Sequence, residues 1–120
     1  MTAVLDRTGK PPQLIVVTDL DGTLLDQQTY RYDESLPAIQ RLQSLGIPLI
    51  LCSSKTRAEI LPLWKELGLG DPFIVENGGA VYFPEQAFPF PVEGARPKGK
   101  FKILEFGTRI TIVRKVLHET

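Results

Sequence analysis

The chain has 120 residues, 14 basic and 14 acidic side chains, and 42% apolar residues. That suits one compact α/β-sized core and excludes disordered, fibrous and disulfide-built classes. A net charge of zero offers no footprint for a polyanion, so no nucleic-acid partner is expected.

Met1 to Gln13 is a polar lead-in with two prolines and no apolar run of signal-peptide length. No stretch approaches the roughly 20 apolar residues of a membrane span, so no membrane partner is expected. Cys52 is the single cysteine, which excludes an internal disulfide and fits a reducing compartment; cytoplasm is the expected location.

Leu14 to Thr18 is a β-branched run of the kind covered on both faces in a parallel sheet. Leu36, Ile39, Leu42 and Leu45 then recur at helical spacing, with Ser35 or Asp33 as N-cap and Gly46 as the stop. Ile47 to Cys52 reads as a second buried strand, which closes a βαβ unit. Thr56 to Glu59 has capping-box spacing and opens a second helix carrying Ile60, Leu63, Trp64 and Leu67. Pro62 predicts a kink or a late start there. Phe73 to Val75 is a third strand, ending in a turn at Glu76-Asn77-Gly78-Gly79.

Strand, helix, strand, helix, strand implies a doubly wound parallel sheet with its site at the carboxyl ends of the strands. Beyond Phe83 a proline- and glycine-rich connector leads to a strand of a different sheet at Lys100 to Phe106. After Gly107 the pattern suits a helix over Thr108 to Glu119 or a strand over Arg109 to Val113. The expected units are therefore 1–13 as tail, 14–84 as core, and 85–120 as connector and a further element.

The chemistry is concentrated in Asp19-Leu20-Asp21-Gly22-Thr23-Leu24, directly after the first strand. Two carboxylates one residue apart at a strand end repel each other unless a cation sits between them, and a hard divalent ion such as Mg²⁺ that also contacts a phosphate suits such oxygens. One carboxylate can then act as nucleophile on phosphorus while the other moves the proton. Gly22 lets the backbone approach a phosphate closely. The same segment fails as a calcium loop, because Tyr30 stands where the twelfth ligand should be and Leu24 where the glycine should be.

Asp-Leu-Asp-Gly-Thr-Leu after an apolar strand resembles the first motif of the haloacid dehalogenase superfamily. The resemblance implies Asp19 as nucleophile and Mg²⁺ ligand, and Asp21 as general acid/base that also serves the metal. Thr23 supports the loop, and with Gly22 and Ser53 it makes up the phosphate-binding set, Ser53 matching the superfamily's second motif. Ser53-Ser54-Lys55-Thr56-Arg57 and Glu76-Asn77-Gly78-Gly79-Ala80-Val81-Tyr82 further resemble the mannosyl-3-phosphoglycerate phosphatase family. By that resemblance Ser54, Lys55, Asn77 and Gly78 contact the substrate, a phosphorylated sugar, and 85–120 begins an α/β cap.

Plainer readings stand beside these. Ser53 can serve as a turn or helix cap, Lys55 as a solvated charge, and Asn77 as a left-handed turn residue. Cys52 reads as a strand residue, Trp64 as core, and His118 as an exposed helix end. Gly68-Leu69-Gly70 and Gly99-Lys100 each lack the rest of a nucleotide fingerprint.

The superfamily's third and fourth motifs are expected downstream of the cap. Residues 14–84 are accordingly expected to be the N-terminal part of a larger core, with three of its strands. The first strand is then an apolar edge open to self-association or to a complementing chain. Two alternatives follow: a catalytically incomplete fragment acting as a binding or assembly module, and another sugar-phosphate phosphatase or phosphomutase of the superfamily.

Overall fold

The computed structural model describes residues 14–85, 87 and 91–106. The expectations for the 1–13 tail, the 108–119 helix and His118 lie outside the described residues. Among the described residues, six strands and two α-helices follow in chain order: β1 (Val16–Thr18), α1 (Leu36–Leu45), β2 (Leu49–Cys52), α2 (Arg57–Glu66), β3 (Phe73–Val75), β4 (Ala80–Pro84), β5 (Arg96–Lys98) and β6 (Phe101–Glu105), with a 3₁₀ turn at Glu76–Gly78 between β3 and β4. They form an α/β fold around one six-stranded sheet of order β1-β2-β3-β4-β6-β5. β1, β2 and β3 are parallel, and every later pairing is antiparallel.

The register puts alternate residues on one face. Thr18 pairs with Leu51, Leu51 with Phe73, Phe73 with Tyr82, and Tyr82 with Ile103. Leu51, Phe73, Tyr82 and Ile103 are buried there with Ile39 of α1 and Ile60 of α2 in a single apolar cluster. Both helices therefore cover the same face. Trp64, Phe73, Tyr82 and Phe101 form its aromatic centre, with Phe73 stacked on Tyr82 at 5.4 Å and Trp64 edge-on to Phe101 at 5.4 Å. The Arg57 guanidinium lies 5.8 Å from the Tyr82 ring centre and 5.9 Å from that of Phe101, tying the first turn of α2 to β4 and β6.

The opposite face of β1 is bare. Val17 is 57% exposed and Ile15, in phase with it just before the strand, 49%, so β1 is not covered on both faces as its composition suggests, and it stands at the edge of the sheet. The strand itself is shorter than the apolar run.

Phe101–Glu105 also departs from expectation. It pairs with β4 along its length and so extends the same sheet rather than starting a different one. The intervening strand, β4, is the element that makes this connection.

Local chemistry explains the helix ends. α1 stops at Gly46, whose φ of 70° is left-handed and whose N–H donates to the carbonyls of Gln43 and Leu42. Ser35 occupies the N-cap position, but its hydroxyl donates to the Leu24 carbonyl at 2.8 Å instead of capping the helix. At α2 the Thr56 hydroxyl donates to Glu59 Oε1 at 3.2 Å, so the capping box does not close onto the backbone. Pro62 does not delay the helix: it sits exposed within Arg57–Glu66, where the carbonyl left without a partner is that of exposed Ala58.

One buried carboxyl ties the start of β2 to the loop before β3. Asp71, 5% exposed, accepts from the Leu49 N–H at 2.9 Å through Oδ2, while its Oδ1 has no hydrogen-bond partner. Burial pushes its pKa up from 3.8 to about 6, against the opposing pull of the Leu49 N–H. The folded state thus holds this proton more tightly than the unfolded chain. The contribution to stability is complete below about pH 4 and is lost as pH rises through about 6. Asp71→Asn, which cannot ionise, should gain on the wild type between pH 4 and pH 7, by of order 1 kcal/mol once residual solvent screening is allowed for. Thermal melts of both proteins at the two pH values check this; a wild type that loses no stability relative to Asp71→Asn as pH rises refutes it.

Candidate active site

The parallel strands β1, β2 and β3 end side by side, and the loops that follow them hold every residue singled out by the motifs. After β1 the chain folds back on itself at once. The N–H groups of Thr23 and Leu25 both donate to the Leu20 carbonyl, at 3.1 and 2.8 Å, and the Gly22 N–H donates to the Leu25 carbonyl at 2.9 Å. Gly22 takes a φ of 77°, which the tight turn requires. Leu20, Leu24 and Leu25 are buried beneath the turn, so its apolar residues anchor it while Asp19, Asp21 and Thr23 stay exposed.

Asp19 Oδ1 accepts from the Leu20 N–H at 2.7 Å. Asp21 Oδ2 lies 3.3 Å from Lys55 Nζ, which spans from the β2–α2 loop to the β1 loop. The same Nζ lies 3.9 Å from Glu59 Oε2, one helical turn beyond Lys55. Glu59 is therefore a neighbour that the motif reading missed, although its i,i+4 spacing from Lys55 was the available signal. Lys55 is held between two carboxylates and is 27% exposed, so it is not a freely solvated charge.

Ser53 is buried at 4% exposure, and its Oγ accepts from the Lys55 N–H at 3.2 Å. The next loop is clasped to this one by its backbone. The Asn77 N–H donates to the Ser53 carbonyl at 2.9 Å and the Glu76 N–H to the Lys55 carbonyl at 3.0 Å. Asn77 sits at φ 55°, as the turn reading anticipates, and Gly78 at φ 95°. Ser54 is exposed at the tip between them.

The arrangement brings Asp21 and Lys55 into contact and joins the Ser53–Lys55 and Glu76–Gly78 loops. An open cavity of about 670 Å³ lies on the outer side of the β1 loop, lined among others by Gly22, Thr23, Asp26 and Arg31, but not by Asp19, Ser53 or Lys55. On its rim Asp26 accepts from the Thr29 and Gln28 N–H groups, which hold its carboxyl below the usual range. Among the described residues no three His, Cys, Asp or Glu side chains converge as a metal-holding cluster. No helix among them is long and apolar enough to cross a membrane.

Residues 16–89 match the family model described as haloacid dehalogenase-like hydrolase. The chain belongs to that family. Among curated relatives, it is 47% identical over 105 residues to a protein of Methanococcoides burtonii named glucosyl-3-phosphoglycerate/mannosyl-3-phosphoglycerate phosphatase, covering 88% of this chain and 39% of the relative. To the mannosyl-3-phosphoglycerate phosphatase of Pyrococcus furiosus it is 39% identical over 105 residues, covering 88% of this chain and 42% of that protein. Among solved structures, a haloacid dehalogenase-like hydrolase from Bacteroides thetaiotaomicron superposes with a TM-score of 0.61 at 26% identity, over 90% of this chain and 36% of that one. The chain thus spans about two-fifths of the length of these curated relatives.

The Lys55–Asp21 ion pair is half open to water, so it should add little to folding. A double-mutant cycle with Lys55→Met and Asp21→Asn, read by urea unfolding, is expected to give a coupling below about 1 kcal/mol. A larger value would make the pair a structural one.

Proposed function

We propose that this chain carries the nucleophile-bearing part of a Mg²⁺-dependent phosphatase that hydrolyses mannosyl-3-phosphoglycerate, or a close glycosyl-phosphoglycerate, through an aspartyl-phosphate. The observation that carries the reading is the Asp19–Asp21 loop at the end of β1, with Lys55 reaching Asp21 from the neighbouring strand end. The names of the relatives support the substrate class.

In this reading a carboxylate oxygen of Asp19 attacks phosphorus in line. The P–O bond to the glycerate oxygen breaks, and Asp21 gives its proton to the departing alkoxide. Asp21, now a carboxylate, takes a proton from water; the hydroxyl attacks phosphorus, inorganic phosphate leaves and Asp19 is restored. Ser53 donates its hydroxyl hydrogen to a phosphate oxygen, and Gly22 and Thr23 line the approach. Ser54, Lys55 and Gly78 face the organic part of the substrate, Asn77 stands in the turn beside them, and residues 85–120 lead into a cap that closes over the sugar.

The exposed Asp19 carboxylate, with the backbone carbonyl of Asp21 two residues on, suits Mg²⁺ in kind, since that ion keeps several waters and takes one or two carboxylates together with substrate phosphate, and the Asp21 carboxyl stays free to carry its proton. When bound by Asp19 and Asp21, the ion would offset the charge of the phosphoryl group. A cytoplasmic location is part of the same proposal and accords with the free Cys52.

Phosphate release from mannosyl-3-phosphoglycerate tests the proposal. Asp19→Asn should lower turnover by about 10³-fold or more, and a chelator should abolish it. Full activity in Asp19→Asn would remove the nucleophile. Release of phosphate from other sugar phosphates at equal or greater kcat/KM would favour a different member of the superfamily.

The bare edge supports a second reading, of an assembly module. β1 presents Leu14, Ile15 and Val17 to solvent, and nothing pairs with its outer side among the described residues. The chain should then self-associate through β1. Val17→Lys should shift it to monomer in analytical ultracentrifugation at unchanged helix content; a wild type that is already monomeric at high concentration eliminates this reading.

A further inference from the structure

Glu76, Asn77 and Gly78 all have positive φ, at 51°, 55° and 95°. Two consecutive non-glycine residues in the left-handed region are costly, and such strain persists only where the surroundings over-determine it. Here the surroundings are specific. The Glu76 and Asn77 N–H groups are both engaged by the β2–α2 loop, on the carbonyls of Lys55 and Ser53 at 3.0 and 2.9 Å. On the other flank the Gly79 carbonyl accepts from the Phe106 N–H at 2.9 Å, directly after β6. By contrast the Asn77 side chain is exposed and has no hydrogen-bond partner among the described residues.

We infer that Asn77 and Glu76 are positioning residues: they act through their main chain, as a strained bracket that fixes Ser53 for phosphate and Lys55 beside it, and not through side-chain contact with substrate. The bracket reverses the role that the motif resemblance assigns to Asn77. It also gives β6 a part in the site, because the hairpin that ends at Glu105 anchors the far side of the turn. The strain goes with the geometry: in this left-handed stretch two successive N–H groups turn toward the neighbouring loop while the chain reverses into β4. Asparagine tolerates that region better than other non-glycine residues, and a β-branched residue tolerates it worst.

The inference rests on the phosphatase reading for its consequence, but the bracket itself can be measured separately. Three variants of the full 120-residue chain separate side chain from main chain: Asn77→Gly keeps the conformation and removes the side chain, Asn77→Ala strains it mildly, and Asn77→Val strains it most. The first readout is amide hydrogen exchange at Glu76 and Asn77, with the backbone shifts of Ser53 and Lys55, by NMR without ligand. Exchange should stay as slow in Asn77→Gly as in the wild type and quicken about tenfold in Asn77→Val, with Asn77→Ala between them. The second readout is binding of inorganic phosphate, followed by the same amides, with affinity retained within about twofold in Asn77→Gly and weakened about tenfold in Asn77→Val.

Equal loss of phosphate affinity in Asn77→Gly and Asn77→Val would overturn the inference in favour of a side-chain contact. Unchanged exchange and shifts across all three variants would overturn it as well. If the wild type binds no phosphate, the phosphatase reading suffers and the exchange series alone decides the bracket. If Asn77→Val does not fold, the order of Asn77→Gly against Asn77→Ala decides it.

Discussion

The register of β2 between β1 and β3 is the constraint on which the site depends. Thr18 opposite Leu51, and Leu51 opposite Phe73, bring the first two strands to an end at the same level, so the loops after them emerge together. A slip of one residue would turn Leu51 and Phe73, both fully buried, away from this cluster to the opposite face of the sheet. The penalty for that slip is a core's worth of apolar surface. The position of a few catalytic-type side chains is thus inherited from hydrophobic packing some distance beneath them.

What keeps those loops in place changes from strand to strand. After β1 the turn is held from below, by Leu20, Leu24 and Leu25, with the Ser35 hydroxyl fastening it to the start of α1. After β2 and β3 it is held laterally, by backbone hydrogen bonds between one loop and the next. Lys55 joins the two systems, since its backbone belongs to the lateral bracket and its ammonium reaches the β1 turn. Arg57, two residues on, lies over Tyr82 and Phe101 and ties the same segment to the antiparallel half of the sheet. A perturbation of the β4–β6 pairing is therefore transmitted to the Ser53–Lys55 loop by two routes.

The parallel part of the fold was legible because its signals are local and strong. β-branched runs, helical spacing of Ile39 and Ile60, and Gly46 as a left-handed stop are all properties of a few adjacent residues. The Asp19–Asp21 loop was legible for the same reason. β4 is hard to see in the sequence although Asn77-Gly78 is a strong hairpin signal, because the same glycine-rich segment equally suits a turn that simply ends a strand. β5 hid behind Pro97, which an edge strand accommodates because one side of it needs no ladder hydrogen bond. That Phe101–Glu105 joins the first sheet is a fact of tertiary pairing, and alternation along one strand carries no record of its partner. The contact between Lys55 and Asp21 is likewise invisible in a linear spacing of 34 residues.

The two edges of the sheet are built differently, and the contrast is informative about which one is meant for water. β5 exposes Arg96, Pro97 and Lys98, where charge and a missing donor both discourage another strand from adding. β1 has no charged or proline residue in Val16–Thr18, and the apolar Leu14 and Ile15 that precede it are exposed too. Protection is thus present where the sheet ends in solvent and missing beside the strand that carries Asp19. An unprotected edge of this composition is a template for another strand, and a cover on it would lie next to the Asp19–Asp21 loop. A strand that paired with β1 would lie beside the Asp19–Asp21 loop, so its side chains would enter the surroundings of Asp19 and the edge and the loop would be covered together.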